Sequence, residues 1–227
     1  MTGSLTRRWP RSVSQAVALQ EELRARVERR DRLSRVRHVA GADVGFEQAG
    51  AVTRAAVVVL SFPGLELVDW AVARRRTRFP YVPGLLSFRE APAVLAAFKK
   101  LRVAPDLLLC DGQGIAHPRR CGLASHLGLL LALPTIGVAK SRLTGHHGEP
   151  GAGKGDWTPL MDDGETVGAV LRTRAGVRPV YVSIGHRVGL ETAIEYTLRC
   201  TTRFRLPETT RAADRLSRGP APGAPRH

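Results

Sequence analysis

The sequence has few cysteines and no long apolar run, and both shortages exclude classes of protein. Three cysteines among 227 residues, none in a CxxC pair, cannot build a disulfide framework or a typical zinc site. No apolar run approaches the roughly 20 residues that a transmembrane helix needs. The first 11 residues also lack the apolar segment of a signal peptide. We therefore expect an intracellular, cytoplasmic protein without a membrane anchor.

Aromatic residues are scarce as well, at 5% of the chain, against 43% hydrophobic residues in total. That supply suffices for one core, so we expect a single domain over residues 1–217. The last ten residues, 218–227, include three prolines and two glycines and are predicted to form a disordered tail. We expect a monomer.

Acidic residues are outnumbered by basic ones, 20 to 35, which gives a formal net charge of +15. Such an excess indicates a polyanionic partner, with nucleic acid as the first candidate. Only four of the basic residues are lysines. Because a bias towards arginine can also reflect genomic composition, charge alone identifies the partner only weakly.

Hydrophobic periodicity predicts an α/β chain that begins with an amphipathic helix over residues 12–30. Strands predicted at 38–46, 52–60 and 65–73 have no helix between them, which indicates an antiparallel meander. The other predicted elements are helices at 88–101, 123–132, 190–201 and 208–216, strands at 107–110, 135–138, 167–172 and 180–184, and an irregular loop at 143–155. This order is typical of a ribonuclease H-like mixed sheet, with three antiparallel strands and then parallel strands, flanked by helices.

Carboxylates are predicted to meet at one edge of that sheet. Asp43 lies within an apolar strand, where an uncompensated charge is costly, and Asp111 ends the buried strand at 107–110. Neighbouring carboxylates repel unless cations neutralise them, and hard oxygen ligands suit Mg²⁺, with Mn²⁺ as a substitute. Glu90 and Asp214 are further candidates, although the preference of acids for helix N-termini explains Glu90 equally well. From spacing alone, Asp214 is better explained as a solvated residue of a polar terminal helix. Such a cluster is what two-metal phosphodiester hydrolysis requires.

Four segments carry a family resemblance, and they read VAGADVGF at 39–46, PYVPGLLSFRE at 80–90, DGQGIAHPR at 111–119 and TIGVAKS at 135–141. They resemble endonuclease V, the deoxyinosine 3′ endonuclease of DNA repair, from about residue 15 to residue 216. The resemblance implies Mg²⁺-dependent hydrolysis of the second phosphodiester bond 3′ to deoxyinosine, which leaves a 3′-hydroxyl and a 5′-phosphate. It also implies that Asp43, Asp111 and Glu90 form the metal and catalytic site. Asp214 stands where the family uses Asp or His, although residues 207–211 read PETTR where the family has PEPTR.

Reading a deaminated base inside a duplex requires that the base be flipped out of the stack. Tyr81, in the proline-rich segment at 80–83, is the candidate wedge, a role that the resemblance gives to this motif. The pocket walls are expected from Pro83, Gly84, Leu86, Gly112, Gly114, Arg119 and Gly122, several of them small enough to let the backbone approach a base. A tyrosine packed under its loop and ordinary turn glycines are the alternatives.

Two further residues are candidates for contact with the scissile phosphate. His117 is expected to position it rather than to act as a general base, because a two-metal site generates its own nucleophile. Lys140 follows the predicted strand at 135–138 and is expected to neutralise the phosphate in the transition state.

Two other functions remain open from the sequence. Inosine in single-stranded RNA would require the same chemistry, and tolerance of a 2′-hydroxyl is not readable from these residues. A non-catalytic protein that docks on damaged DNA would have no use for clustered acids beside phosphates.

Overall fold

The computed structural model describes residues 9–219, in which five helices flank a sheet of eight strands. The helices are α1 (Val13–Arg24), α2 (Leu86–Phe98), α3 (Leu123–Leu131), α4 (Leu190–Arg199) and α5 (Glu208–Arg218). The strands are β1 (His38–Glu47), β2 (Val52–Ser61), β3 (Leu67–Arg76), β4 (Leu107–Cys110), β5 (Thr135–Ala139), β6 (Trp157–Asp162), β7 (Glu165–Leu171) and β8 (Val180–His186). Of the predicted tail, only Arg218 and Gly219 are among the described residues, and Arg218 is the last residue of α5.

The sheet runs in the order β3-β2-β1-β4-β5-β8-β7-β6. Strands β1, β2 and β3 pair antiparallel, and β4 and β5 then continue parallel to β1. The predicted ribonuclease H-like mixed sheet is therefore confirmed. Beyond β5 the strands β8, β7 and β6 pair antiparallel again, which extends the sheet at its far edge.

Apolar layers cover both faces of the sheet, as the continuous apolar run at 107–110 requires. Leu107 and Leu109 face the layer that α4 and α5 cover, together with Val39 of β1. Leu108 and Cys110 face α2 and α3 on the other side. Because side chains alternate between the two faces of the sheet, successive residues of β1 and β4 face α4 and α5 on one side and α2 and α3 on the other.

The first helix is shorter than predicted, because it ends at Arg24 rather than at residue 30. The chain beyond it is held by hydrogen bonds to the last residue of β8, His186, and to the residue after it, Arg187. The Glu28 N–H donates to His186 Nδ1, and the Arg187 N–H donates to the Glu28 carbonyl. These tertiary bonds replace the intrahelical bonds that the apolar periodicity predicted.

Strand β6 was not predicted. Its Pro159 and its exposed side chains do not resemble an interior strand. However, β6 is the outer strand of the sheet, so one of its sides has no partner strand. A proline, which has no N–H to donate, is tolerated in such a strand.

No helix among residues 9–219 is both long and apolar enough to cross a lipid bilayer. The cytoplasmic location stays a prediction.

Replacing Asp69 with asparagine is expected to destabilise the fold without touching the carboxylates of the candidate site. Asp69 is buried and accepts backbone N–H bonds from Trp70, Arg102 and Val103 at 2.8, 2.7 and 3.0 Å. Burial alone would raise the pKa of Asp69, but these bonds outweigh it and hold the pKa below the ordinary value. An amide cannot accept all three bonds, so we expect a loss of about 1–3 kcal/mol in urea unfolding at neutral pH.

The difference should shrink as the pH falls below about 4. A depressed folded-state pKa stabilises the protein only while the carboxylate is ionised. Asp163→Asn, at an exposed turn position, is the control. A Tm equal to that of the wild type for Asp69→Asn would contradict the structural role.

Candidate active site

Asp43 and Asp111 lie at the same height on neighbouring parallel strands. Ala42 of β1 pairs with Cys110, the last residue of β4, and each is followed directly by its aspartate. Because adjacent strands lie about 4.8 Å apart, the register brings the two carboxyl groups to one edge of the sheet. The sequence-based expectation that the first and fourth strands are neighbours is confirmed.

Two glycines let helix α5 approach the face of β1 that carries Asp43. A Cβ at Gly41 would lie 2.1 Å from the Thr209 carbonyl oxygen, and one at Gly45 would lie 2.9 Å from the Ser217 carbonyl oxygen. Alternate strand residues share a face, so Asp43 projects between these contacts. The Ser217 hydroxyl donates a hydrogen bond of 2.7 Å to its carboxylate.

Glu90 joins this cluster from the second turn of α2. Burial is the largest cause that raises the pKa of Glu90 to about 8, and the negative charges of Asp43 and Asp111 contribute to the same rise. Burial also raises the pKa of Asp43, with additional contributions from Asp111 and Asp214, against an opposing hydrogen bond from Ser217. The carboxylates therefore repel one another and favour a bound cation or proton.

Lys140 and Asp214 border the cluster on opposite sides. The Lys140 ammonium donates to the Asp111 carboxylate, and its side chain remains about half exposed. Asp214 is paired with Arg218, one turn later on α5, at 2.6 Å. Four acids and one lysine are thus gathered where the pairing of β1 with β4 ends.

The donors at this edge are all oxygens, which is the ligand set that Mg²⁺ and Mn²⁺ prefer. The raised pKa values of Glu90 and Asp43 show negative charge that a cation would offset. Within residues 9–219, no three His, Cys, Asp or Glu side chains yet converge tightly enough to enclose one ion. Asp43, Glu90 and Asp111 nevertheless fit a divalent cation by their chemistry, because all three offer carboxylate oxygens and the charges of Asp43 and Asp111 act on Glu90.

A cavity of about 330 Å³ opens beside these carboxylates. Its walls come from the loop of residues 80–85, here called the tyrosine loop, and the loop of residues 111–122, here called the glycine loop, with α2 and the end of β5. Tyr81 is 68% exposed at the rim. Ten of the predicted site residues line the cavity: Tyr81, Pro83, Gly84, Leu86, Glu90, Asp111, Gly112, His117, Gly122 and Lys140.

Four predicted site residues lie outside the cavity wall. Asp43 and Asp214 belong to the adjoining carboxylate cluster. Gly114 is buried against β8, where a Cβ would lie 2.0 Å from the Ile184 carbonyl oxygen, so close packing explains this glycine. Arg119 lies behind the wall and donates to the carbonyl oxygen of Gly84 at 3.1 Å.

Both ring nitrogens of His117 form hydrogen bonds, one within the glycine loop and one to the tyrosine loop. Its Nδ1 accepts the Arg119 N–H at 3.1 Å, so Nε2 carries the proton and donates to the Gly84 carbonyl at 2.8 Å. Burial lowers the pKa of His117 to about 4. A neutral ring with both nitrogens occupied holds the tyrosine loop, whereas contact with a phosphate stays a prediction.

Comparison with known proteins identifies the family. The sequence matches the family model described as Endonuclease V over residues 21–215. This chain belongs to the endonuclease V family. Endonuclease V of Roseiflexus sp. (strain RS-1) is 61% identical over 217 residues, covering 96% of this chain and 97% of the relative. Endonuclease V of Trichormus variabilis is 60% identical over 210 residues, covering 92% and 95%.

Solved structures of the endonuclease V family have the same fold. Endonuclease V of Streptomyces avermitilis is 50% identical with a TM-score of 0.89, over 92% of this chain and 93% of that one. A variant of Ciona intestinalis endonuclease V, bound to a 23mer DNA containing an inosine followed by a ribo-adenosine, is 31% identical with a TM-score of 0.81, over 91% and 95%. The resemblance seen in the motifs is confirmed, and the chain is an endonuclease.

Several residues around the endonuclease V site were not predicted from the sequence. Ser217 binds Asp43, Gln20 binds both loops, and Ser87 and Gln113 line the cavity. Gln20 carries a visible signal, because it is a polar residue four positions after Ala16 on the buried side of α1. The glycines flanking Asp43 are a comparable signal that a helix packs closely there.

The free energy of unfolding of the metal-free protein is expected to fall as the pH rises from about 6.5 to 8, because of Glu90. An unfolded glutamate has a pKa near 4.3, whereas the folded pKa is about 8. Only the folded state retains the proton in this range, so stability decreases as the pH approaches the folded pKa. Below about pH 6.5 the opposite slope dominates, because burial lowers the pKa of His117, His126 and His186 to about 4.

Urea unfolding in the presence of a chelator measures this slope directly. Across the upper range Glu90 should lower the stability of wild type by about 1–2 kcal/mol, part of which the three histidines offset, so the free energy of unfolding should fall in wild type but not in Glu90→Gln. Glu66→Gln, at an exposed acid, should keep the wild-type slope. A parallel decline in wild type and Glu90→Gln would contradict a buried, protonated Glu90.

Proposed function

We propose that this endonuclease hydrolyses DNA at the second phosphodiester bond 3′ to deoxyinosine. The observation that carries the proposal is a cavity of about 330 Å³ with Tyr81 at its rim and Glu90 and Asp111 in its wall. Ligand pockets have volumes of roughly 300–1,000 Å³, so a single flipped base can enter. A base held there places the following phosphates beside the carboxylates.

Recognition of the lesion requires a pocket that reads an altered base edge. Deamination converts the N1 acceptor of adenine into a donor and the exocyclic amine into O6. The small residues Gly84, Gly112 and Gly122 leave backbone groups close to the cavity, where they can pair with that edge. Tyr81 enters the stack and occupies the space that the flipped base vacates.

Hydrolysis uses the carboxylate cluster and Lys140. Asp43, Asp111 and Glu90 would hold Mg²⁺, with Mn²⁺ as a substitute; when bound, the cation neutralises the acids, activates water and stabilises the leaving oxygen. Water adds to phosphorus and the bond to the 3′ oxygen breaks, which yields a 3′-hydroxyl and a 5′-phosphate. The ammonium of Lys140, beside Asp111, lies where it offsets charge on the phosphate. The negative charge of Asp214 acts on Asp43 and would add to the attraction of the site for a cation.

The test is cleavage of a duplex with one deoxyinosine, compared with the same duplex carrying adenine. We expect a Mg²⁺-dependent nick in the inosine strand and an intact control. No nick with either metal, or equal cutting of both duplexes, would overturn the proposal. Membership of the endonuclease V family argues against the non-catalytic binder that the sequence left open.

Inosine in single-stranded RNA is the second candidate substrate. It is favoured by one observation, since the DNA bound to the Ciona intestinalis relative carries a ribo-adenosine after its inosine. A site that accepts a 2′-hydroxyl at that position can accept RNA. Parallel cleavage of DNA and RNA of identical sequence decides between the two, with the higher kcat/KM identifying the preferred polymer.

Non-specific DNA affinity is expected to fall steeply with salt. The formal charge of +15 attracts the phosphate backbone, and each phosphate neutralised contributes about −0.9 to the slope of log K against log salt. Fluorescence anisotropy of an undamaged duplex over a salt series measures this slope. A flat response would show that the arginine excess does not contact DNA.

A further inference from the structure

We infer that Gln20 is a positioning residue for the lesion pocket, setting the separation between the tyrosine loop and the glycine loop. The inference rests on the proposed function, because it explains how the walls of that same pocket are held in place. Gln20 lies on α1, outside the four sequence motifs, and only 1% of its surface is exposed.

The amide of Gln20 bridges the two loops directly. Its Nε2 donates to the Gly84 carbonyl at 2.9 Å and to the Cys121 carbonyl at 3.0 Å. An NH₂ group has two hydrogens, so both donors are used, one on each side. Its Oε1 accepts the Nε–H of Arg119 at 2.6 Å.

Gln20 itself lines the cavity, and these contacts join it to two neighbouring parts of the wall. Gly84 and Gly122 line the cavity, and Cys121 directly precedes Gly122. One side chain on a helix therefore fixes the distance between two walls that belong to different loops. Tyr81 lies three residues before Gly84, so the same bond constrains the base of the predicted wedge.

The Gly84 carbonyl is the centre of this arrangement. It accepts from His117 Nε2 at 2.8 Å and from an Arg119 terminal nitrogen at 3.1 Å, in addition to Gln20. Gly84 has a positive φ of +77°, a conformation that favours glycine. Three hydrogen bonds to this one oxygen fix the position of the tyrosine loop relative to the glycine loop.

Glutamine is the side chain that this geometry requires. Glutamate would keep the bond to Arg119 but would direct carboxylate oxygens at two carbonyl oxygens. Methionine would keep the volume and remove every polar contact, and asparagine is one methylene too short to reach all three partners. The pocket should therefore lose its shape in Gln20→Met and Gln20→Glu while the carboxylate cluster stays intact.

The experiment compares these variants with wild type and with Gln15→Met, which changes an exposed glutamine of the same helix. Single-turnover cleavage of inosine and adenine duplexes is followed over a range of enzyme concentrations, together with Tm. For Gln20→Met we expect the half-saturating enzyme concentration on inosine DNA to rise by about tenfold or more. The rate at saturation and the affinity for undamaged DNA should change less than about threefold.

Each outcome bears on a specific claim. A lowered Tm with an unchanged preference for inosine would show that Gln20 only supports the fold and would overturn the inference. A wild type without any preference for inosine would overturn the proposed function and the inference with it. If Gln20→Met does not fold, Gln20→Asn provides the same comparison, and a preference equal to that of Gln15→Met would again overturn the inference.

Discussion

Asp43→Ala and Asp111→Ala are each expected to abolish cleavage while leaving the affinity for DNA intact. Asp43 lies within β1 and Asp111 directly follows β4, its paired strand, and the proposed function assigns both side chains as oxygen ligands of the cation beside the scissile phosphate. Removing a ligand of a catalytic cation costs several kcal/mol of transition-state stabilisation, so we expect a loss of about 10³-fold or more in kcat/KM. Removing a negative charge cannot by itself weaken attraction to phosphates.

The measurement combines single-turnover cleavage of an inosine duplex with anisotropy binding to the same duplex. Asp163→Asn, at an exposed position on the turn between β6 and β7, is the control and should match wild type in both assays. A collapse of affinity together with activity would show that the cation is needed for binding. The division of roles between the carboxylates and the basic residues would then be wrong.

Tyr81→Ala is expected to reduce cleavage of inosine in a duplex by about 10- to 100-fold, because unstacking a base costs a few kcal/mol. Tyr81 is 68% exposed at the rim of the cavity, and the tyrosine loop behind it is fixed through Gly84. In single-stranded DNA the stack is already weak, so there the loss should stay below about threefold.

Two further variants separate the wedge from a general aromatic effect. Tyr81→Phe keeps the ring and should retain most of the duplex activity. Trp157→Ala removes an aromatic side chain of β6 that is 43% exposed and should leave both substrates unaffected. Equal losses by Tyr81→Ala on duplex and single-stranded substrates would show that Tyr81 acts in packing instead.

The central part of the fold and site was predictable from local patterns. A charge within an apolar strand and a charge at the end of a buried strand have few structural reasons to exist, which singled out Asp43 and Asp111. Hydrophobic periodicity and segment length likewise predict the meander of β1, β2 and β3 and the buried strand at 107–110. The parallel pairing of β1 with β4 then brings the two aspartates together.

Other features depend on contacts between residues far apart in the chain. The end of α1 is decided by bonds to Arg187 and His186, which no periodicity reveals. Gly114 resembled a pocket residue because glycines follow the strand, but the close approach of β8 is what requires it. The phosphate contact of His117 stays a prediction, and no pattern in the sequence indicated its bond to the Gly84 carbonyl, 33 residues away.

The most direct test of the whole account is to map the cut on an inosine duplex labelled at both ends, at single-nucleotide resolution. The account predicts one Mg²⁺-dependent cut at the second phosphodiester 3′ to the inosine, with a 3′-hydroxyl that a ligase can reseal. In this account, the separation between the base held in the cavity and the carboxylates of Asp43 and Asp111 sets the position of the cut. Cuts scattered along the duplex, or a cut that does not move when the inosine is moved, would contradict it.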